Sequence, residues 1–228
     1  MVNKRKTLAT RDGDVRGSGA ARPAPVPSRR VRSKQEKAQR IIAAARQLFG
    51  EKGFDATTTV EVANLADIGT GTLFLYINSK EDLLLMAFLD EVFDLIDDSF
   101  STVDRDAPLL DQLLHIYERL IVYHANDLDL SRHLLREVAF VRNPQMRVAV
   151  NRFRTVLFRR LAALVAAQKR KGKLKTHARP TVAASMLFAV YFAPLTEWLN
   201  GYIDESRYRH RLRESLELQI AGLSGGMR

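Results

Sequence analysis

Two stretches of the form Ser/Thr-x-x-Glu constrain this chain more than any other feature: Ser33-Lys34-Gln35-Glu36 and Thr58-Thr59-Val60-Glu61. Each is a capping box. The hydroxyl accepts a backbone N–H of the first turn and the glutamate accepts the N-cap's own N–H, so each fixes a helix start. After the first come Ala38, Ile41, Ile42, Ala45, Leu48 and Phe49 at helical spacing, with Gly53 as the stop. After the second, a helix from Thr59 to about Ala66 turns Val62, Ala63 and Ala66 inward until Asp67-Ile68-Gly69 interrupts it. Another helical stretch runs from Thr70 to about Tyr76. Ser79 then recaps the chain, with Glu81 and Asp82 in the next first turn. Three short helices in under fifty residues, the last two joined by a tight turn, have helix-turn-helix geometry. The same periodicity suits a tri-helical cap on a larger helical protein.

Charge is spread unevenly. The 228 residues carry 36 Lys+Arg against 26 Asp+Glu, a formal +10 that points to an anionic partner, most often nucleic acid. Residues 1–33 hold nine cations, among them Arg29, Arg30 and Arg32, against Asp12 and Asp14, which is +7 of that total. With six Gly and Pro and almost nothing apolar, this segment reads as a disordered basic arm. Residues 34–80 net only +1, so phosphate neutralisation falls largely to the arm, which such proteins often send into the minor groove. A solubilising leader with no partner has the same composition.

The residues from Gly53 to Thr58, the run Val62-Ala63-x-x-Ala66, and Gly71-Thr72-Leu73-Phe74-Leu75-Tyr76-Ile77-Asn78-Ser79-Lys80-Glu81-Asp82-Leu83-Leu84 closely resemble the DNA-binding domain of TetR-family transcriptional regulators. Four positions depart from the family's usual pattern. Asp67 stands where it has Gly, Gly69 where it has Ser, Phe74 where it has Tyr, and Ile77 where it has Phe. Asp tolerates a left-handed backbone better than most residues, and Gly is a slightly weaker cap than Ser. The resemblance implies that Thr58 caps the second helix and reaches a phosphate, and that Thr70, Gly71 and Thr72 open the recognition helix against base edges. It further implies that Phe74 and Tyr76 lie on its exposed face and that Lys80 holds a phosphate. A purely structural role would instead put Leu73 and Ile77 in the core, make the threonines caps and pack Tyr76 on the first helix.

The rest reads as a second all-helical domain. A connector helix from Lys80 to Phe100 carries seven acids on a solvated face. Helices then begin at Pro108, Ser131, Asn143-Pro144, Pro180 and Asp204. The helix from Pro180 to Gly201 is apolar nearly all round and contains Pro194, where it must bend. Its longest near-apolar run, Val182 to Leu195, is shorter than the ~20 residues a membrane span needs, so it reads as buried and there is no membrane partner. Burial on every side needs cover from another chain, and the resemblance implies a homodimer through the last two helices; a monomer folding its last helix over this one is the alternative. Tyr117, His124, Tyr191 and Trp198 are the polar and aromatic groups on inner stripes, and are the candidate effector contacts.

Catalytic and metal chemistry find no support. The chain has no Cys, no His-Glu-x-x-His, no P-loop and no Gly-x-Ser-x-Gly. The pairs Asp111/His115 and Asp129/His133 sit four apart and read as solvated helix pairs. The expectation is an all-α protein of about nine helices, with no cofactor. Residues 1–33 form the arm, 34–80 the helix-turn-helix domain, and 81–228 a ligand-binding and dimerisation domain. It is expected to be a cytoplasmic repressor of double-stranded, inverted-repeat DNA released by a small, mostly apolar effector. A partner-gated DNA-binding protein, or a helical carrier or enzyme, are the alternatives.

Overall fold

A computed structural model describes residues 28–225, and all its regular structure among them is helical. The first helix, α1 (Arg29–Ala56), starts earlier than the capping box predicts. Ser28 is its N-cap, accepting the Val31 N–H at 3.4 Å, and Ser33 lies inside the helix. Arg29, Arg30 and Arg32 are strong helix formers behind a serine, so the helix extends back through them. The expected basic arm is therefore helical from Arg29, and its residues 1–27 lie outside the described residues. At its far end Gly53 leaves the helical region with φ +80°, a conformation only glycine adopts cheaply, and one more turn follows to Ala56.

The second helix, α2 (Thr59–Leu65), has the predicted capping box, and Asp67 carries the turn after it with φ +53°. The third, α3 (Thr70–Leu73), is shorter than expected. Beyond Leu73 the N–H groups of Leu75 and Tyr76 bond three residues back, to Thr72 and Leu73. This tightened turn brings Leu73 and Ile77 together into the core while Phe74 and Leu75 stay outside.

The fourth helix, α4 (Lys80–Ser101), crosses from one apolar cluster to the other. Leu83, Leu84, Leu85, Ala87, Phe88 and Leu89 complete the head core with Ile41, Phe49, Val62 and Leu73. Two turns further Ile96, and one turn beyond it Phe100, belong to the body core. The head core thus runs past Lys80 and also takes in Leu134 and Val150 from the body.

The body holds α5 (Leu109–Asn126), α6 (Leu128–Ala139), α7 (Pro144–Arg170), α8 (Pro180–Leu199) and α9 (Glu205–Gly225). α6 begins three residues before the expected Ser131, because the Asp127 carboxylate accepts the Leu130 N–H at 2.9 Å and caps it. Asn143 caps α7 with Pro144 behind it, as the sequence indicates. α8 continues through Pro194 to Leu199 and packs between α7 and α9. Among the described residues it is the one helix long and apolar enough, at 20 residues and mean hydropathy 1.4, to cross a membrane by length and composition. Its Ala183, Ala184, Leu187, Tyr191, Leu195 and Trp198 are in the body core, while Val182 and Met186 on the opposite side are exposed.

Candidate nucleic-acid interface and effector cavity

Glu61 anchors the helix-turn-helix unit. Its carboxylate accepts the Thr58 N–H at 2.9 Å and the Thr58 hydroxyl at 2.7 Å, and pairs with Lys52. The Lys52 bond first, then those from Thr58, hold it down at about pKa 2. Thr58 therefore sits where the resemblance puts it, as the cap of α2, but both of its donors are already taken by Glu61. Asp67, the residue in place of the turn glycine, is pinned by Arg40 of α1, which reaches its carbonyl at 3.5 Å and its carboxylate at 3.3 Å.

Gly69 caps α3 with no side-chain bond. Gly71 is exposed, Thr70 and Thr72 beside it are half-buried, and a β-carbon built on Gly71 meets nothing within 4 Å. Its bareness thus has no reason inside the fold. Phe74 is exposed and Leu75 is 81% exposed, an apolar pair on the outer face of the recognition turn. Sequence reasoning passes over Leu75, because it occupies a variable place between the two aromatics of the motif. Tyr76 is half-buried and its hydroxyl donates to the Lys34 carbonyl of α1 at 3.4 Å.

Lys80 differs from its expected role. Its ammonium donates to the carbonyls of Phe54 at 2.9 Å and Asp55 at 3.2 Å, and lies 4.4 Å from the Phe54 ring centre. It closes the loose end of α1 after the Gly53 break. Arg46 donates to the Ala87 carbonyl at 2.6 Å. With Arg40, Lys52, Arg46 and Lys80 all engaged within the head, its remaining cations are Lys34 and Lys37, next to Arg29, Arg30 and Arg32. All five lie on the first turns of α1, which Tyr76 ties to the recognition turn.

In the body, α4, α5, α6, α7 and α8 enclose an apolar cavity of about 80 Å³. Leu89, Val92 and Ile96 of the connector form one wall; Phe153, Phe188 and Phe192 form another. His124 and Tyr191 are its polar groups. The two ring nitrogens of His124 lie 3.1 Å from the Ser131 hydroxyl and 3.2 Å from the Tyr191 hydroxyl. Ser131 in turn reaches the His124 carbonyl at 3.4 Å, which leaves its oxygen to accept from Nδ1 and Nε2 to accept from Tyr191. Burial keeps this imidazole neutral, with its pKa pushed down to about 4, and pushes Tyr191 up.

The other two candidates lie elsewhere. Tyr117 stacks on Tyr191 at 4.6 Å and donates to the Leu187 carbonyl at 3.0 Å, behind the cavity wall. Trp198 stacks on Tyr208 at 5.1 Å, between α8 and α9. Both are core residues whose inner-stripe position looks the same in sequence as a lining position. The aromatic wall of Phe153, Phe188 and Phe192 carries no distinguishing signal in the sequence; three phenylalanines on facing helices are ordinary core residues until their backbones are placed.

α6 joins this cavity to the head. Leu134, Leu135 and Val138 line it, while the His133 ring packs tilted against Phe54 with centres 4.4 Å apart and lies 3.6 Å from the Asp55 carboxylate. Asp82, buried at the start of α4, accepts the Asn78 N–H at 3.0 Å and a bond from Asn143 at the start of α7. Of the spaced pairs, His115 bonds to Thr102 at 3.0 Å and His133 lies between Asp55 and Asp129. Among the described residues no three His, Asp or Glu side chains gather as a metal site.

Residues 41–87 match the model for bacterial regulatory proteins of the tetR family. The fatty acid metabolism regulator protein of Bacillus subtilis (strain 168) is 23% identical over 194 residues, spanning 85% of this chain and 98% of that protein. The fold is shared with FadR of Thermus thermophilus, a TetR-family transcriptional repressor solved with lauroyl-CoA. Its TM-score is 0.68 at 24% identity, over 82% of this chain and 94% of that one. FadR of Bacillus subtilis, solved with stearoyl-CoA, superposes at a TM-score of 0.56 and 19% identity, over 83% and 99% of the two chains.

Proposed function

We propose that this chain, whose residues 41–87 match the tetR-family model, is a homodimeric DNA-binding repressor of the TetR family, released by a ligand with a long apolar chain. The observation that carries this is the shared wall. Leu89, Val92 and Ile96 of α4 line the body cavity, and the same helix packs the head core through Leu83 to Leu89. At about 80 Å³ the cavity is well below the roughly 300–1,000 Å³ of pockets that hold drug-sized ligands. A long chain therefore has to part α4 from α7 and α8, and the head moves with α4. The two FadR regulators of the same fold, solved with lauroyl-CoA and stearoyl-CoA, support an acyl chain as that ligand.

The DNA-reading unit is 34–80 and the regulatory unit 81–228, with α4 common to both. Thr70, Gly71, Thr72, Phe74 and Leu75 face the bases. Lys34, Lys37, Arg29, Arg30 and Arg32 neutralise phosphates. Thr58, Tyr76 and Lys80 hold the unit in shape, Thr58 and Tyr76 at its phosphate-facing edge. His124 and Tyr191 give the ligand its polar handle. Dimerisation runs through α8 and α9, whose outer faces leave Val182, Met186 and Leu218 uncovered in the single chain. Two heads on a two-fold axis require an inverted-repeat operator with half-sites about 34–36 Å apart or a multiple. The protein acts in the cytoplasm, where that DNA is. The relatives named above are regulators rather than enzymes, in keeping with the lack of catalytic motifs.

The test is selection of bound sites from genomic DNA with purified protein, followed by challenge with saturated acyl-CoAs. An inverted repeat whose binding is weakened by ligand is expected. Linkage then requires operator DNA to weaken ligand binding by the same factor, typically about 5–150-fold. Selected sites without two-fold character overturn the dimer. Operator binding indifferent to every apolar ligand favours gating by a partner protein.

A further inference from the structure

α7 carries Arg147, Arg152, Arg154, Arg159, Arg160, Lys169 and Arg170 and not one carboxylate. Of its five arginines before the last turns, Arg160 pairs with Asp97, and the other four pair with no carboxylate among the described residues. Three of these line a surface groove made of two adjoining clefts. Its first part, about 580 Å³, lies between the end of α6 and α7 and is lined by Val138, Phe140, Arg147, Asn151 and Arg154 among others. Its second part, about 490 Å³, continues along α7 past Arg154 to Thr155, Phe158 and Arg159. Asn151 and Arg154 line both parts, and no acid lines either.

This groove backs directly onto the apolar cavity. Val138 lines the groove on one side and the cavity on the other. Phe158 of the groove packs edge-on at 5.2 Å against Phe188 of the cavity wall. At the mouth, Phe140 is 76% exposed beside an equally bare Val148. Three cations around one groove, with no acid among its lining residues, make its potential positive and repel one another along it. A multivalent anion removes that repulsion, and the guanidinium fork matches phosphate oxygens in pairs. An exposed phenyl face beside them suits a flat heterocycle.

We propose that the α7 groove holds the polyphosphate head of the effector, a phosphorylated nucleotide carrier, while its thioester-linked chain passes Val138 into the cavity. This rests on the reading of the cavity as an acyl-chain site. A free fatty acid, with one charge, has no use for Arg147, Arg154 and Arg159 across two clefts.

The experiment measures calorimetric affinities of the full chain for lauroyl-CoA, S-lauroyl-pantetheine, laurate and coenzyme A at two salt concentrations. The variants are Arg147→Gln/Arg154→Gln/Arg159→Gln and, separately, Val138→Phe. Lauroyl-CoA should bind the wild type more tightly than S-lauroyl-pantetheine. The triple variant should lose at least about tenfold in lauroyl-CoA affinity, the worth of one charge-assisted bond, and most of its salt dependence. Its affinity for S-lauroyl-pantetheine and for operator DNA should not change. Val138→Phe should weaken every chain-bearing probe. If the triple variant does not fold, Arg154→Gln alone, which lines both parts of the groove, should still lose about tenfold for lauroyl-CoA. Undiminished lauroyl-CoA binding by the arginine variants, with loss in Val138→Phe, overturns the groove and leaves the chain site standing. Equal wild-type affinity for lauroyl-CoA and S-lauroyl-pantetheine also overturns it. Loss of operator affinity in the ligand-free triple variant assigns the groove to DNA instead. A wild type that binds no chain-bearing probe removes both readings together.

Discussion

The Tyr76 hydroxyl donates to the Lys34 carbonyl at 3.4 Å, and so fastens the end of the recognition turn to the cationic first turns of α1. A partly exposed hydrogen bond of this length contributes at most about 1 kcal/mol. Tyr76→Phe should therefore cost little global stability while letting residues 29–37 open more often. Hydrogen exchange on the free protein should be faster at those amides and unchanged in the body, and operator affinity should fall modestly. Unaltered exchange at α1 would show that the bond organises nothing.

Gly71 separates folding from recognition. A β-carbon there meets no atom of the protein within 4 Å and the residue is helical, so the fold accepts alanine. In a helix, Gly→Ala stabilises by about 0.5–1 kcal/mol. Gly71→Ala should then melt at the same temperature or slightly higher, yet bind operator about 5–150-fold more weakly if the DNA backbone or a base edge approaches this face, the ~1–3 kcal/mol of one specific contact. Full operator affinity in Gly71→Ala would move the contact surface away from the start of α3.

The cations of the head lie mainly on α1. Arg40 is bound to Asp67, Lys52 to Glu61, Arg46 to the Ala87 carbonyl and Lys80 to Phe54 and Asp55. Arg29→Gln/Arg30→Gln/Arg32→Gln should flatten the plot of log affinity against log salt by about 0.9 for each phosphate those arginines neutralise, near 3 if all three engage. Sequence preference should persist. A slope that stays as steep as wild type would leave α1's start without a role on DNA.

These contrasts show which features are legible without coordinates. The capping box at Thr58–Glu61, the left-handed Asp67 and the buried Leu73 and Ile77 can all be read from the sequence, because each is decided within a few residues. The start of α1 is obscured by a second, equally valid capping signal at Ser33, since local rules do not rank two serines five residues apart. Lys80 is beyond reach for a different reason. Its partners, Phe54 and Asp55, are some 25 residues away, and only the Gly53 break leaves their carbonyls open to it. Tyr117 and Trp198 fail as lining residues on the same ground. Helical phase puts a side chain inside, but tertiary packing decides between a wall and the layer behind it.

α8 presents the clearest test of assembly. Its inner residues are buried in one chain, yet Val182 and Met186 are bare, and Leu218 on α9 is 77% exposed. Met186→Glu/Leu218→Glu places two carboxylates on that surface without touching the core. Sedimentation should show wild-type dimers and variant monomers with the same helicity, and operator affinity should collapse, since each head then binds alone. A variant that stays dimeric would put the contact on another face.

His124 makes the body sensitive to pH. Its folded pKa, pushed down to about 4 by burial, lies below the roughly 6.5 of an unfolded histidine. Between those values the unfolded chain binds a proton that the folded one refuses, so stability rises with pH there and is complete above about 6.5. Lowering the pH from 7.5 to 4.5 should cost on the order of 3 kcal/mol through this group alone. Glu61, held down at about 2, contributes in a separate window, below the ordinary carboxylate value of 4.5. Denaturant melts at pH 7.5, 6.0 and 5.0 lie above that window. Over them the wild type should lose stability steadily and His124→Gln, which keeps a bond to Tyr191 or Ser131 but does not titrate, should lose much less. A filled cavity should deepen the effect, because a chain packed on the imidazole removes what water still reaches it. Parallel stability curves for wild type and His124→Gln would mean that the ring is protonated, or solvated, in the folded protein.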